Sequence, residues 1–148
     1  MSTITINSTR FGALEIPADA IIEFPAGLIG LGGRRYALIA TDAHAPFHWL
    51  QSVEDADIAL PVTDPWRFFA DYEVELSDDE TSRIGLEDAE GVAVWVTVRA
   101  RGELSEFTAN LRAPILVADG RGHQVINAFA PAPLRAPLFP EAQAQQAA

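Results

Sequence analysis

The sequence predicts an all-β, mainly antiparallel fold: a small β-barrel or sandwich with one or two short helices. Three observations lead there. Short runs rich in Val, Ile, Thr and aromatic residues recur between Gly, Pro and Asp turn signals. Only two stretches carry helix-start chemistry, and neither is long. A chain of 148 residues that is 49% hydrophobic supports one packed domain.

"TITIN" and "GALEIP" read as a first pair of strands. "AIIEFP" follows, then a Gly-rich turn, "AGLIGLGG", and the strand "RYALIAT". "FHWLQSV", "DIALPVT" and "DYEVEL" continue the series, and "VAVWVTVRA", "PILVAD" and "HQVINA" complete it. In the run from Val92 to Ala100, Val92, Val94, Val96 and Val98 share one face and Ala93, Trp95 and Thr97 the other. Apolar residues on both faces predict a central, buried strand. Pro61 cannot donate to a ladder, which predicts an edge strand or a bulge for "DIALPVT".

The first helix start is "TDPWRFF", with Asp64 as cap and Pro65 at the first helical position, enough for a single turn. The second is "LSDDETSRIG". There Ser77 and Glu80 form a capping box, Asp78 and Asp79 favour the positive end of the helix dipole, and Gly85 supplies the stop. The expected organisation is a β domain over 1–129 and a Pro/Ala/Gln-rich, mostly disordered tail over 130–148, with Leu134 to Phe139 docking loosely.

Charge narrows the function classes. The formal net charge is −11, the opposite of what a phosphate-neutralising surface requires, so direct nucleic-acid binding is not expected. Residues 71–90 hold nine carboxylates against the single Arg83. The stretch from Val96 to Arg121 is mildly basic, with Arg99, Arg101, Arg112 and Arg121. No stretch approaches the roughly 20 apolar residues of a membrane span. "MSTITINSTRFG" lacks a signal-peptide arrangement, and the expected location is the cytoplasm. The absence of Cys excludes a disulfide framework and thiol chemistry.

Catalytic and cofactor motifs are missing. His44 and His48 are four apart, but Pro46 between them argues against a helix, and an extended chain separates them by roughly 13 Å. "GLIGLGG" precedes a strand rather than opening a helix, so a dinucleotide site fails its context. Carboxylate pairs such as Glu54 and Asp55 fit an exposed turn better than an acid–base pair. No metal, no cofactor and no enzymatic activity are expected.

One stretch resists a plain structural reading. From Phe47 to Glu73, "FHWLQSVEDADIALPVTDPWRFFADYE", five Phe and Trp residues and Tyr72 are interleaved with carboxylates. That mixture suits a protein interface, and also a small-molecule pocket lined by aromatics in a β-barrel, which is the alternative function. Trp49, Leu50, Val53 and Trp95 fit core better than contact.

The order "FPAGLIGL…YALI", "PFHWLQSVEDADIALPVTDPWRFFADYEVELSD", "TANLRAPILV" and "GHQVI" resembles the FliW family of flagellar assembly factors. The similarity runs from about Ile4 to Asn127, with His48, Ala70 and the Ala/Gln-rich end departing from the family's pattern. The resemblance implies a non-catalytic β-barrel that binds flagellin in the bacterial cytoplasm. It also implies binding of the RNA-binding translational regulator CsrA, which relieves repression of flagellin messenger RNA. The residues assigned to partner binding are Asp64, Trp66, Phe68, Phe69, Asp71, Tyr72, Glu73, Glu75, Asp78, Asp79 and Asn110. For two of them a structural role stands beside the functional one: Asp64 can cap a turn, and Asn110 can satisfy backbone groups beside Pro114.

Overall fold

The computed structural model describes residues 3–25, 27–28, 34–40, 47–84, 92–99, 106–118, 120–128 and 133–139. Outside this set lie His44, most of the "AGLIGLGG" turn, the Gly85 stop, the acidic residues of 85–90, and the tail from 140 onward.

Eleven strands form among the described residues: β1 (Thr3–Ser8), β2 (Gly12–Pro17), β3 (Ile21–Glu23), β4 (Arg35–Ile39), β5 (Phe47–Ser52), β6 (Ala59–Thr63), β7 (Ala93–Arg99), β8 (Thr108–Ala109), β9 (Ile115–Ala118), β10 (Arg121–Gln124) and β11 (Ala136–Pro137). β1 and β2 make a hairpin of their own. β3, β4, β5, β6 and β7 pair in sequence as an antiparallel meander. β10 lies parallel to β3 and antiparallel to β9, and β9 returns to pair with β7. The seven strands β3, β4, β5, β6, β7, β9 and β10 therefore close into a barrel. β8 and β11 extend the sheet beyond β7.

Closure explains where Pro61 sits. β6 lies between β5 and β7, so of the two placements the sequence allows for Pro61, an edge strand or a bulge, the edge is overturned. Pro61 pairs with Trp49 of β5, while pairing with β7 begins only at Val62. The missing amide is therefore spent where β7 makes no ladder contact. β7 is central as expected, with three strand neighbours. The strand expected at "DYEVEL" does not form, because no strand lies beside it.

Side chains fill the barrel. Ile22, Phe24, Tyr36, Leu50, Val62 and Ile115 make one buried cluster, with Trp95 and Leu60 packed against it. The rings of Phe24 and Tyr36 meet edge to face at 5.5 Å. The Phe24 and Tyr36 rings are core. A second cluster lies where β7 and β8 meet the Tyr72 stretch, built from Tyr72, Val96, Val98, Ala109, Leu111, Ala136 and Leu138. Ala136 and Leu138 belong to the segment expected to be tail. The described segment 133–139 is packed rather than disordered: β11 pairs with β8, and the Phe139 ring meets Phe68 and Phe107. The docking expected for Leu134 to Phe139 thus takes the form of a strand pairing and ring contacts. Burial of these apolar side chains, which the Pro-rich composition conceals, is the reason.

Both helix starts are realised. Asp64 accepts a hydrogen bond from the Trp66 amide at 3.0 Å, capping one 3₁₀ turn over Pro65–Arg67. The helix α1 (Asp78–Ile84) begins where the Ser77 hydroxyl accepts the Glu80 amide at 3.2 Å. Among the described residues, no helix is long and apolar enough to cross a membrane.

The close packing of β10 against the core yields a stability test. A Cβ placed on Gly122 would collide with the fully buried Phe24 ring. Gly122→Ala should therefore destabilise the fold by about 1–3 kcal/mol in urea denaturation.

Candidate functional site: an acidic ribbon pinned by Asn127

Between the 3₁₀ turn and α1 the chain runs extended, and its side chains alternate without any ladder. Asp71, Glu73, Glu75 and Ser77 are exposed, whereas Tyr72 is buried and Val74 and Leu76 are half-buried. Period-two alternation is ordinarily enforced by a neighbouring strand. Here the carboxamide of one buried residue, Asn127, takes that role. Its Oδ1 accepts the Glu75 amide at 2.8 Å, and its Nδ2 donates to the Glu73 carbonyl at 2.8 Å. The same Nδ2 donates to the Tyr72 hydroxyl at 3.1 Å, and that hydroxyl donates to the Leu111 carbonyl at 2.7 Å. The backbone closes the arrangement: the Ala128 amide donates to the Glu75 carbonyl, and the Asn127 amide to Arg112. Asn127 copies the donor and acceptor of a strand residue with its side chain.

The ribbon's outer face is consequently a row of carboxylates, continued by Asp78 and Asp79, both exposed in the first turn of α1. Beside it stands Trp66, 44% exposed, with its indole Nε1 donating to the Tyr72 carbonyl at 2.8 Å. The other assigned residues divide. Phe68 and Phe69 are half-buried; Phe68 stacks on Phe47 at 5.9 Å and meets Phe139 edge to face. Tyr72, also assigned to partner binding, is only 5% exposed, with its ring turned into the core. The Asn110 Oδ1 accepts the amides of Arg112 and Ala113 at 3.1 Å each, which makes its side chain a turn-former next to Pro114. Asp64 is exposed, with its carboxylate engaged as the cap.

The "WLQS-x-ED" motif is also structural. Gln51 and Ser52 are buried, and Gln51 accepts the Ser8 hydroxyl at 2.7 Å, tying the β1–β2 hairpin to the barrel. Ser52 accepts the amides of Glu54 and Asp55 in the following turn. Glu54 in turn accepts the Arg34 and Arg35 amides, and these bonds hold its carboxyl below the usual carboxylate range. His48 lies against the Trp95 ring at 4.8 Å. Among the described residues, no group of three or more His, Asp or Glu is placed to hold a metal ion.

The family model for FliW protein matches residues 5–138. This chain belongs to the FliW family. It is 38% identical over 123 residues to the flagellar assembly factor FliW of Thermosipho africanus, covering 80% of this chain and 85% of that one. It is 36% identical over 143 residues to the flagellar assembly factor FliW of Desulfitobacterium hafniense, covering 95% and 94%. A crystal structure of the flagellar assembly factor FliW superposes with a TM-score of 0.82 at 28% identity, covering 93% of this chain and 99% of that chain. The FliW match spans both the barrel and the ribbon.

Asn127 was not singled out in the sequence, since "QVINA" reads as an ordinary alternating strand. Its replacement tests the ribbon. Asn127→Ala leaves the Glu75 amide and Glu73 carbonyl without their partner and should cost about 1–3 kcal/mol in urea unfolding. Hydrogen exchange should show the loss concentrated at Glu75.

The two tyrosines give a second readout. Burial raises the phenol pKa of both Tyr36 and Tyr72; the Glu54 and Asp55 charges add to it at Tyr36, and donation from Asn127 partly opposes it at Tyr72. A phenol raised in the folded state contributes stability that is complete below the unfolded value, about 10, and is lost as pH climbs through the folded one. Ultraviolet titration of native FliW-family protein should show tyrosinate forming above pH 10 and together with unfolding. In urea the same titration should return to the free-tyrosine value.

Proposed function

We propose that this FliW-family protein is a non-enzymatic binding protein of flagellar assembly. In this reading it holds unassembled flagellin in the cytoplasm and binds a CsrA-type RNA-binding translational regulator, relieving repression of flagellin messenger RNA. The observation that carries the reading is the ribbon, where Asp71, Glu73 and Glu75 face solvent in a row that runs into Asp78 and Asp79. A regulator that grips RNA presents cationic surface; a fixed row of carboxylates attracts it and repels the phosphates it competes with. The names of the relatives, flagellar assembly factors, support the setting. The exposed Trp66 beside the ribbon has the amphipathic character of an interface anchor and is the residue assigned to flagellin.

The test is kinetic. Association with the regulator should slow steeply as salt shortens the screening length to about 8 Å, while the melting temperature changes little. The variant Asp71→Asn, Glu73→Gln, Glu75→Gln should associate more slowly and release less RNA, with its fold intact. If it binds the regulator and displaces RNA as well as the parent at low salt, the ribbon serves only solubility. For flagellin, calorimetry should give one-to-one binding with a negative heat-capacity change. Trp66→Ala should weaken that binding more than it lowers the melting temperature; a core tryptophan would instead cost about 3–5 kcal/mol of stability.

A further inference from the structure

A groove of about 1040 Å³ opens where β6 begins and β7 ends, and its chemistry is the reverse of the ribbon's. Among the described residues that line it are Arg10, Arg99, Arg112 and Arg135, all exposed, and none of those lining residues is a carboxylate. In a chain with 21 carboxylates against 10 basic residues, a wall of one sign is a departure that chance distribution does not favour. Arg10 is held in place, its guanidinium 4.3 Å from the centre of the Trp49 ring.

The groove is also apolar. Three large apolar side chains are exposed among the described residues, and two of them, Ile126 at 51% and Leu134 at 56%, line it. Leaving such area in water is unfavourable, a cost that an occupant with apolar side chains removes. Arginine is the cation suited to such a place: it is weakly hydrated, and its planar fork matches a carboxylate in two bonds. The stretch from Val125 to Asn127 separates the groove from the ribbon, with Ile126 turned to the groove and Asn127 buried against the ribbon.

We propose that this groove is a second docking surface, one that takes a peptide segment of a partner protein in which apolar side chains alternate with carboxylates. Apolar residues of the segment seat over Ile126 and Leu134, and its carboxylates reach the arginines. A nucleic acid fits less well, since its phosphates gain nothing from exposed Ile and Leu and meet a chain of net charge −11. The proposal goes beyond the ribbon reading and stands on different residues.

The experiment is a selection of short random peptides displayed on phage against the immobilised full-length protein. The counter-target is the variant Arg99→Glu, Leu134→Ser, Arg135→Glu, whose changed side chains are all exposed. Arg99→Glu alone provides the same comparison should the triple variant lose its fold. Fluorescence anisotropy then measures the enriched peptide, and a labelled single-stranded RNA, on parent and variant. The expected result is enrichment of Asp and Glu among apolar residues, with binding weakened about tenfold or more by the variant and further by salt. Enriched peptides without acidic residues, no enrichment, or equal binding to parent and variant would overturn the proposal. So would RNA binding by the parent that the variant abolishes.

Discussion

The outer surface of this protein depends on one side-chain amide. Without the Asn127 carboxamide, the extended chain from Asp71 to Leu76 has no strand beside it to define which side chains point outward. With it, Tyr72 is drawn into the core, and its hydroxyl is committed between Asn127 and the Leu111 carbonyl. The intervening carboxylates are turned to solvent as a consequence. A buried amide satisfied on both ends rigidifies what it touches, whereas a half-satisfied one would penalise the fold. Packing and charge display are thus two results of the same bonds.

The barrel supplies the frame for this arrangement. Its closure through β7, β9 and β10 removes the edges that a small sheet would otherwise expose. β7 gains most from it, with Trp95 turned to the barrel cluster and Val96 and Val98 to the cluster beneath the Tyr72 stretch. The two faces of one strand therefore connect the barrel to the region that carries the ribbon.

Local physics was legible in the sequence and long-range pairing was not. Caps at Asp64 and Ser77 depend only on residues within one turn, and both formed as read. Strands with strong alternation, such as β7, were also evident. Closure cannot be inferred from any single segment, which is why an edge stands beside a bulge as the sequence's reading of Pro61. β8 and β11 are two residues each and exist only through pairing, β11 with β8 and β8 with β7, so no periodicity announces them. The "DYEVEL" alternation was genuine, but its partner is a side chain instead of a strand. Of the assigned site residues, those facing outward on the ribbon remain surface. Tyr72 and Asn110 went inward or into a turn because their polar groups are consumed by the backbone. The arginine groove is not legible in the sequence because Arg10 and Arg135 come together only through the fold.

The pinned ribbon is the proposed meeting face for the cationic regulator. Hydrogen–deuterium exchange of the protein, alone and saturated with the CsrA-type regulator, tests it most directly. Added protection is expected across peptides covering Asp64 to Glu80. Unchanged exchange there, with protection appearing only on another face, would contradict it.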